Sequence, residues 1–194
     1  MTAQTLHLDS PDLTWGTHQI AGAELPADMT MLRADAERGT RVVVVRFPDG
    51  WRRDVTGNQP AGEEMVVLSG ALTISGQTCA AGQMMVIEPR ATRAATSVLD
   101  GTSALVWFSG AGGGWADGEA DAPGAATLLT VDAELERAER DGLVGAISTL
   151  PDASGAVFDV DVDLYWPQAR TWAFVPAGSE APEISGFAIV HSWG

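Results

Sequence analysis

Few residues in this sequence have side chains suited to covalent or acid–base catalysis. There are three histidines (His7, His18 and His191), one cysteine (Cys79) and no lysine at all. Without lysine, the chain can form neither a Schiff base nor a P-loop phosphate site. The histidines are far apart in sequence, which leaves little material for a multi-histidine metal site, and no Gly-x-Ser-x-Gly elbow is present. Chemistry is therefore expected from other side-chain donors and from aromatic walls.

The charge balance excludes two classes of partner. Among 194 residues, 26 are acidic and 11 are arginine, which gives a net charge of −15. Nucleic-acid phosphates and anionic membrane surfaces repel such a chain, so we expect neither as a partner. A single cysteine cannot form an internal disulfide, and the first residues lack the basic start and apolar stretch of a signal peptide. We therefore expect a cytoplasmic protein that acts on a small molecule.

Hydrophobic periodicity between residues 40 and 110 is typical of short β-strands. Segments rich in β-branched residues are separated by Gly, Pro and Asp at intervals of about ten residues. The predicted strands are residues 40–47, 65–68, 71–75, 83–87 and 103–108. Strands of this length and spacing indicate an all-β fold, either an antiparallel sandwich or a barrel.

The second part of the chain has a weaker pattern. Residues 112–125 form a loop rich in glycine and acidic residues, and residues 132–141 are the best helix candidate, with Asp132 as N-cap and Gly142 at the end. Strand patterns return at residues 157–165, 171–175 and 187–193. We therefore divide the chain into a β-barrel half (1–111), a loop (112–125) and a short helix followed by a shorter, degenerate repeat of the first half (126–194).

Two segments resemble the sequence signatures of the cupin superfamily. Residues 57–70 (GNQPAGEEMVVLSG) are similar to the first signature, in which two histidines precede a glutamate and a glycine follows. Residues 82–89 (GQMMVIEP) are similar to the second, a glycine-led strand that ends in proline just before a third histidine. The Glu-Glu ending of the first segment looks most like the two-part cupins of anti-sigma-factor type. The resemblance implies an antiparallel cupin-like β-barrel or jelly roll.

The resemblance also implies where the family's metal ligands would lie. Glu63 occupies the glutamate position, whereas the two histidine positions fall on Gly57 and Gln59. Counting eleven residues from Gly82 places the third histidine position at Arg93, or at Ala94 if the alignment shifts by one. Arginine cannot donate a lone pair and glycine has no side chain, so we expect no bound metal and no other cofactor.

The arginine suggests a different chemistry for the same position. We hypothesise that Arg93 projects into the barrel opposite Glu63, with Gln59 beside them, and that these three residues are catalytic. A guanidinium fork there could polarise a substrate carbonyl or stabilise an oxyanion. The alternative is a solvated arginine on a loop and a carboxylate at the rim.

Aromatic and sulfur-containing side chains provide candidate walls for a substrate pocket. The chain has seven tryptophans, more than ordinary usage, and their alternative role is core packing. The candidate substrate-binding residues are Trp107, Trp172, Met65, Met85, Tyr165 and His191. His191 could also move a proton or serve a purely structural role. Tyr165 shares a strand face with Asp159, Asp161 and Asp163, which is expected to be solvated.

Three functions are compatible with these features. The first is a metal-independent enzyme that folds a largely apolar substrate for cyclisation (cycloaddition included), isomerisation or elimination. Small metal-free barrels of this kind serve as cyclases in bacterial polyketide pathways, and the lack of lysine beside abundant Ala, Gly, Arg and Asp is typical of high-GC actinobacteria. The second is a non-catalytic binding or sensor module, and the third is a metal-dependent cupin with misaligned ligands. Pairing of edge strands favours a homodimer.

Overall fold

A computed structural model describes residues 2–194 of the chain, which form strands, turns and loops. Within this range there is no helix, and hence none long and apolar enough to cross a membrane. The chain divides into two compact units. The larger unit is Thr14–Thr130, and the smaller unit combines residues 2–13 with Val131–Gly194.

Eighteen strands are numbered in chain order. The first nine are β1 (Gln4–His7), β2 (Gly16–His18), β3 (Ala27–Asp35), β4 (Thr40–Arg46), β5 (Arg52–Arg53), β6 (Gly57–Asn58), β7 (Gly62–Ser69), β8 (Ala71–Ile74) and β9 (Gln77–Ala80). The others are β10 (Gln83–Ile87), β11 (Thr96–Val98), β12 (Ser103–Ser109), β13 (Ala116–Asp117), β14 (Ala126–Thr130), β15 (Ala146–Leu150), β16 (Val162–Trp166), β17 (Thr171–Val175) and β18 (Ala188–Ser192).

The larger unit contains two main antiparallel sheets that share one core. The seven-stranded sheet has the order β14-β10-β7-β12-β4-β3-β2, and the four-stranded sheet has the order β5-β11-β8-β9. One apolar cluster joins the two sheets, since Met65, Met85 and Val106 of the first pack with Leu72 and Cys79 of the second. This shared interior makes the unit a barrel, as the alternation in the sequence predicts.

The central strands of the larger unit are buried on both faces. All four residues of the run Val42, Val43, Val44 and Val45 are at most 3% exposed. Odd-numbered positions of β4 face the barrel core, because Val43 and Val45 belong to the core cluster, whereas Val42 and Val44 lie on the opposite face. A continuous β-branched run is the sequence pattern of such a doubly buried strand.

The smaller unit is a single five-stranded antiparallel sheet with the order β1-β17-β16-β18-β15. Its first strand comes from the N-terminus, where Leu6 lies opposite Trp172 of β17. Arg170 donates two hydrogen bonds to Asp9, at 3.0 Å and 2.8 Å, and this bidentate pair fixes the chain just after β1. The division therefore differs from the predicted boundaries: residues 2–13 belong with the C-terminal strands, and β14 completes the larger unit.

The helix predicted over residues 132–141 is wrong. Isolated bridges replace it, with Arg137 paired to Ile147 and Arg140 to Leu143. The backbone amide and carbonyl of Arg137 both bond to Ile147, at 2.8 Å and 2.9 Å, and its buried guanidinium donates to the carbonyl oxygens of Leu143 and Gly145. An i,i+4 ion pair stabilises a helix by only roughly 0.2–0.5 kcal/mol. A buried arginine with several hydrogen-bond acceptors outweighs this contribution.

Candidate active site

A row of side chains crosses the seven-stranded sheet at one end of the barrel core. In register across β4, β12, β7 and β10, Arg41 is opposite Phe108, Phe108 is opposite Glu63, and Glu63 is opposite Ile87. These residues lie on the same face as the core residues Met65 and Val106, two positions along their own strands. Strand alternation thus places the carboxylate of Glu63 directly beyond the apolar interior.

The opposite wall brings Arg93 to this end of the barrel. Backbone hydrogen bonds of 3.1 Å and 2.8 Å join Gly57 and Arg93 in an isolated antiparallel bridge. The amide of Arg90 donates to the carbonyl oxygen of Gln59 at 2.7 Å, which extends the pairing of the two segments. The side chain of Arg93 is 1% exposed, so the alternative that it lies in solvent is wrong.

The three predicted catalytic side chains meet at one oxygen atom. Nη2 of Arg93 is 3.2 Å from Oε1 of Glu63, and Nε2 of Gln59 donates a hydrogen bond to the same Oε1. Nη1 of Arg93 donates to the carbonyl oxygen of Ala91 at 3.3 Å. The Glu63 side chain is 13% exposed, so the carboxylate is mostly buried while one edge of it stays accessible.

Two further arginines, which sequence reasoning missed, belong to the site. Arg53 is 5% exposed, and burial lowers the pKa of its guanidinium to about 10; the charge of Arg93 also lowers it, and that of Glu63 opposes the shift. Burial likewise lowers the pKa of Arg41, against the charge of Glu63. The only sequence signal for Arg41 is its position in phase with Val43. No sequence signal identifies Arg53, since the adjacent Arg52 has the same chemistry although its side chain is exposed.

Two aromatic rings support these guanidinium groups. Cζ of Arg53 lies 4.2 Å from the centre of the Trp115 ring, and Cζ of Arg41 lies 4.0 Å from that of Phe108. Trp115 also covers Gly57: a Cβ added at Gly57 would collide with the indole and lie 2.6 Å from the carbonyl oxygen of Ala116. Pairing of β13 with β6 holds the indole there. Residue 57 must therefore lack a side chain.

The side chains at this end of the barrel do not fit a transition-metal site. Of the four positions implied by the resemblance, Glu63 alone has a strong donor, and Arg93 and Gln59 already engage its Oε1. Over residues 2–194, no group of three His, Cys, Asp or Glu side chains is placed to hold a metal ion. A divalent ion requires several nitrogen, oxygen or sulfur donors, and beside Glu63 the positions implied by the resemblance provide only a guanidinium, an amide and a glycine.

A surface cleft of about 400 Å³ adjoins the site. Asn58 and Pro60, the neighbours of Gln59, line it together with Arg90, Ala116 and three acidic residues, Asp117, Glu119 and Asp121. The amide of Asn58 donates to the carbonyl oxygen of Gly118 at 3.1 Å, so the wall is tied to the chain that carries Trp115.

The candidate substrate-binding residues of the larger unit lie on two different faces of one sheet. Met65 and Met85 are in register with each other and pack in the barrel core, 4% and 0% exposed. Trp107 is in register with Glu64 rather than Glu63, so its side chain is on the opposite face of the sheet. Trp107 is 1% exposed there. Trp107 therefore does not share the barrel core with Met65 and Met85.

The other three candidates belong to the sheet of the smaller unit. Tyr165 is in register with Trp172, and His191 is stacked on Trp193 with ring centres 3.8 Å apart. Each of these rings is at most 2% exposed. Burial raises the pKa of the Tyr165 phenol.

The expectation that Asp159, Asp161, Asp163 and Tyr165 share a solvated face holds for Asp159, which is exposed, but is wrong for Asp163 and Tyr165. Asp163 is fully buried, and its Oδ2 accepts a hydrogen bond of 2.9 Å from the indole of Trp193. The strand itself is shorter than predicted, because β16 begins only at Val162.

Comparison with known proteins identifies the fold. No family model and no curated protein matches the chain. A provisionally assigned dioxygenase from Nostoc punctiforme has a similar structure, with a TM-score of 0.70 and 12% identity over 97% of this chain and 81% of that chain. The protein YlbA from E. coli gives a TM-score of 0.59 and 14% identity over 98% and 90% of the two chains.

A protein of unknown function from Pseudomonas syringae, assigned to the same family as YlbA, gives a TM-score of 0.53 and 16% identity over 97% of both chains. Together these structures confirm the predicted fold class, an all-β, cupin-like antiparallel barrel. Identities of this size establish the fold alone.

Proposed function

We propose that this chain is a metal-independent cupin-fold enzyme that transfers a proton within a small organic substrate during isomerisation, elimination or cyclisation. The observation that carries the proposal is the carboxylate of Glu63, held at the end of the barrel by Arg93 and Gln59. A base and a guanidinium donor are thus placed beside each other without an intervening metal ligand.

The proposal includes the replacement of the family's three metal-binding histidines by Gly57, Gln59 and Arg93. Family spacing alone assigned these positions, yet they converge in space: Gly57 pairs with Arg93, and Gln59 and Arg93 both contact Glu63. If the alignment with the family signatures were wrong, these three positions would have no reason to lie close together. Their convergence supports the alignment, and with it the assignment of Arg93 to the place of a histidine.

Glu63 has the properties of a general base. Arg93 and Gln59 engage its Oε1, and in the proposed reaction the other oxygen, Oε2, receives a proton from the substrate. In the proposed reaction, Oε2 removes a proton from the carbon next to a substrate carbonyl. The electron pair of that C–H bond moves onto the carbonyl oxygen, where the guanidinium of Arg93 stabilises the enolate. Positioned acid–base catalysis of this kind contributes about 10²- to 10⁴-fold in rate.

The fate of the enolate distinguishes the three reactions. Return of the proton from Glu63 to another carbon gives isomerisation, loss of a leaving group from the adjacent carbon gives elimination, and attack on a second carbonyl of the same molecule gives cyclisation. A cycloaddition needs shape and a hydrogen-bond donor but no base. The ion-paired Glu63 therefore favours proton-transfer reactions, and a place in polyketide or other secondary metabolism is proposed with them.

Deuterium exchange tests the proposal without knowledge of the natural substrate. Simple ketones and 1,3-dicarbonyl compounds are incubated in D₂O with chelator-treated protein, and loss of the α-proton signal is followed by NMR. Wild-type protein is expected to accelerate exchange of at least one compound class. Glu63→Gln should abolish the acceleration, because the amide is no base, and Arg93→Ala should reduce it by about 100-fold or more.

A matched control separates catalysis from a general loss of charge. Glu24 is an exposed carboxylate whose side chain is also paired with an arginine, at 3.6 Å from Arg52. Glu24→Gln is expected to exchange at the wild-type rate. Equal exchange by wild type, Glu63→Gln and Arg93→Ala would contradict the proposal.

We propose further that the protein acts in the cytoplasm as a homodimer. In the seven-stranded sheet, β14 and β2 are the terminal strands, and a second copy could pair with such an edge. Sedimentation velocity at several protein concentrations tests this: a species of twice the chain mass is expected, and a monomer at all concentrations would contradict it.

A further inference from the structure

Three guanidinium groups share one carboxylate at the end of the barrel. Arg93 contacts Glu63, and the charges of Arg41 and Arg53 also act on it. Three of the eleven arginines thus gather around one carboxylate in a chain that has 26 acidic residues. The site carries excess positive charge within a strongly negative protein.

Two of these arginines retain buried N–H groups without an acceptor. Arg93 and Arg53 are 1% and 5% exposed. Nη2 of Arg93 is ion-paired with Glu63 but makes no well-aligned hydrogen bond, and Nε of Arg53 has no hydrogen-bond partner within residues 2–194. Buried donors and uncompensated charge are both unfavourable, so an anion that accepts from them is stabilised on binding.

The guanidinium groups of Arg53 and Arg41 combine an aromatic contact with one hydrogen bond each. Cζ of Arg53 lies over the Trp115 ring and Cζ of Arg41 over the Phe108 ring. Nη2 of Arg53 donates to Thr96 Oγ1 at 3.3 Å and Nη1 of Arg41 to the carbonyl oxygen of Gly110 at 2.9 Å, so Nε of Arg53 remains the buried donor without a partner within residues 2–194. The N–H bonds of a guanidinium point outward in its plane, which is the geometry that a carboxylate accepts in a bidentate pair. The rings also provide flat apolar surface beside the charge.

We propose that the substrate of this site carries a carboxylate group on a planar, apolar body, and that Arg53 and Arg93 bind this carboxylate. The inference rests on the proposed function, since it names the substrate class of the same site. Glu63 shows that the site accommodates a carboxylate, because it already holds one against Arg93. Trp115 provides the surface on which the planar body lies.

Binding of benzoate tests the inference, with benzamide as the neutral molecule of the same shape. Each is titrated into ¹⁵N-labelled full-length protein, and the arginine Nε–Hε resonances are followed by NMR. With eleven arginines and no lysine in the chain, these signals can be assigned from single variants. The resonances of Arg53 and Arg93 should shift and saturate with benzoate and stay unchanged with benzamide.

Adjacent arginines on β5 provide a matched pair of variants. Arg53 is buried, whereas the side chain of Arg52 is 55% exposed and pairs with Glu24 and Asp54. Arg53→Gln should weaken benzoate binding by about tenfold or more, and Arg52→Gln should leave it unchanged. If Arg53→Gln does not fold, Arg53→Lys retains the charge without the bidentate fork and should bind benzoate more weakly than wild type.

Glu63→Gln distinguishes failure of this inference from failure of the proposed function. The negative charge of Glu63 repels an anionic ligand bound beside it, so its replacement should tighten benzoate binding several-fold while proton exchange is lost. If exchange persists in this variant but benzoate still binds, the proposed function fails and the inference stands. Equal binding of benzoate and benzamide, no binding of either, or tighter binding of phenyl phosphate than of benzoate would overturn the inference.

Discussion

At the scale of single residues, the pairing of Glu63 with Arg93 decides both stability and chemistry. The two groups are 13% and 1% exposed, so neither is fully hydrated. Removal of one member of such a pair leaves the other as a poorly compensated charge, and this cost exceeds the net contribution of the intact pair. The site is thus expected to be sensitive to single substitutions and more tolerant of paired ones.

A double-mutant cycle measures this sensitivity. Glu63→Gln should lower the free energy of unfolding by roughly 2 kcal/mol, less than the full cost for a completely buried pair because Glu63 retains some exposure. Glu63→Gln combined with Arg93→Met should be more stable than the sum of the single effects predicts, by about 1 kcal/mol or more. Urea denaturation supplies the three differences, and strict additivity would contradict the coupling.

The control for this cycle is the exposed pair of Arg52 and Glu24. Both side chains are more than half exposed. Their coupling energy should be below about 0.5 kcal/mol, as is usual for solvated ion pairs.

Cys79 is predicted to be unreactive in the folded protein. It is fully buried in β9, and burial raises the pKa of its thiol to about 11. Since the thiolate is the nucleophile, almost none is present at about pH 8, and alkylation by iodoacetamide should be slow until denaturant is added. Mass spectrometry of intact protein measures the adduct. Rapid labelling of native protein would show that β9 opens readily.

Some residues of the site could be predicted from the sequence and others could not. The positions of Glu63, Gln59 and Arg93 are implied by the resemblance to the two signatures, and the structure brings the three side chains together. Arg53 could not be found in this way, since Arg52 and Arg53 have the same chemistry and only strand register shows that Arg53 faces inward. The role of Trp115 could not be predicted either, because its contact with Arg53 depends on how β13 pairs with β6.

At the scale of elements, the turn between β7 and β8 requires glycine at position 70 for two reasons, the backbone conformation and the close contact with Thr102. Gly70 has φ of +70°, and a Cβ there would collide with the hydroxyl of Thr102 and lie 2.9 Å from Thr102 Cα. Thr102 is itself fixed, since its hydroxyl donates to the carbonyl oxygens of Ala71 and Leu99. Neither the turn nor its neighbour can therefore adjust easily.

Alanine at Gly70 and at Gly76 should separate the two requirements. Gly76 has φ of +81° with nothing within 4 Å of an added Cβ, so Gly76→Ala measures the backbone strain alone, about 1 kcal/mol. Gly70→Ala adds the collision and should cost roughly 3 kcal/mol in total. Thermal or urea unfolding gives both values. Equal losses at the two positions would show that Thr102 moves aside.

The predicted helix at residues 132–141 failed for a reason that local sequence does not contain. The predicted N-cap residue does form a local contact, since Asp132 Oδ1 accepts a hydrogen bond from the backbone amide of Glu134 at 2.9 Å. The outcome is set instead by Arg137, whose acceptors lie six to eight residues further along the chain. Short helices with a narrow apolar face are marginal, so such distant contacts prevail. The strands of the larger unit were predictable because their apolar alternation is long and consistent.

At the scale of the whole molecule, the net charge of −15 opposes the compact state. The negative charges repel one another, and the folded chain brings them closer together than the unfolded chain does. Salt screens this repulsion. Tm should therefore rise by several degrees when NaCl increases from about 10 mM to about 200 mM at neutral pH. The rise should be smaller at about pH 5, where some carboxylates are protonated. A fall in Tm with salt would show that attractive ion pairs dominate.

The same charge distribution supports the proposal that the substrate carries a carboxylate. A strongly acidic surface repels polyanions, while three arginines and one glutamate leave positive charge inside the barrel. The barrel itself could be predicted from the sequence; its partition into two units could not, because β1 joins β17 across most of the chain. Pairings over such distances leave no local trace in sequence.

We propose above that a guanidinium stands at the position where the resemblance implies a metal ligand. Metal analysis of purified protein, expressed with iron, manganese and zinc in the medium and isolated without chelator, tests it most directly. The account predicts far less than one metal ion per chain, with deuterium exchange unaffected by added metal. One tightly bound ion per chain that disappears in Glu63→Gln would contradict it.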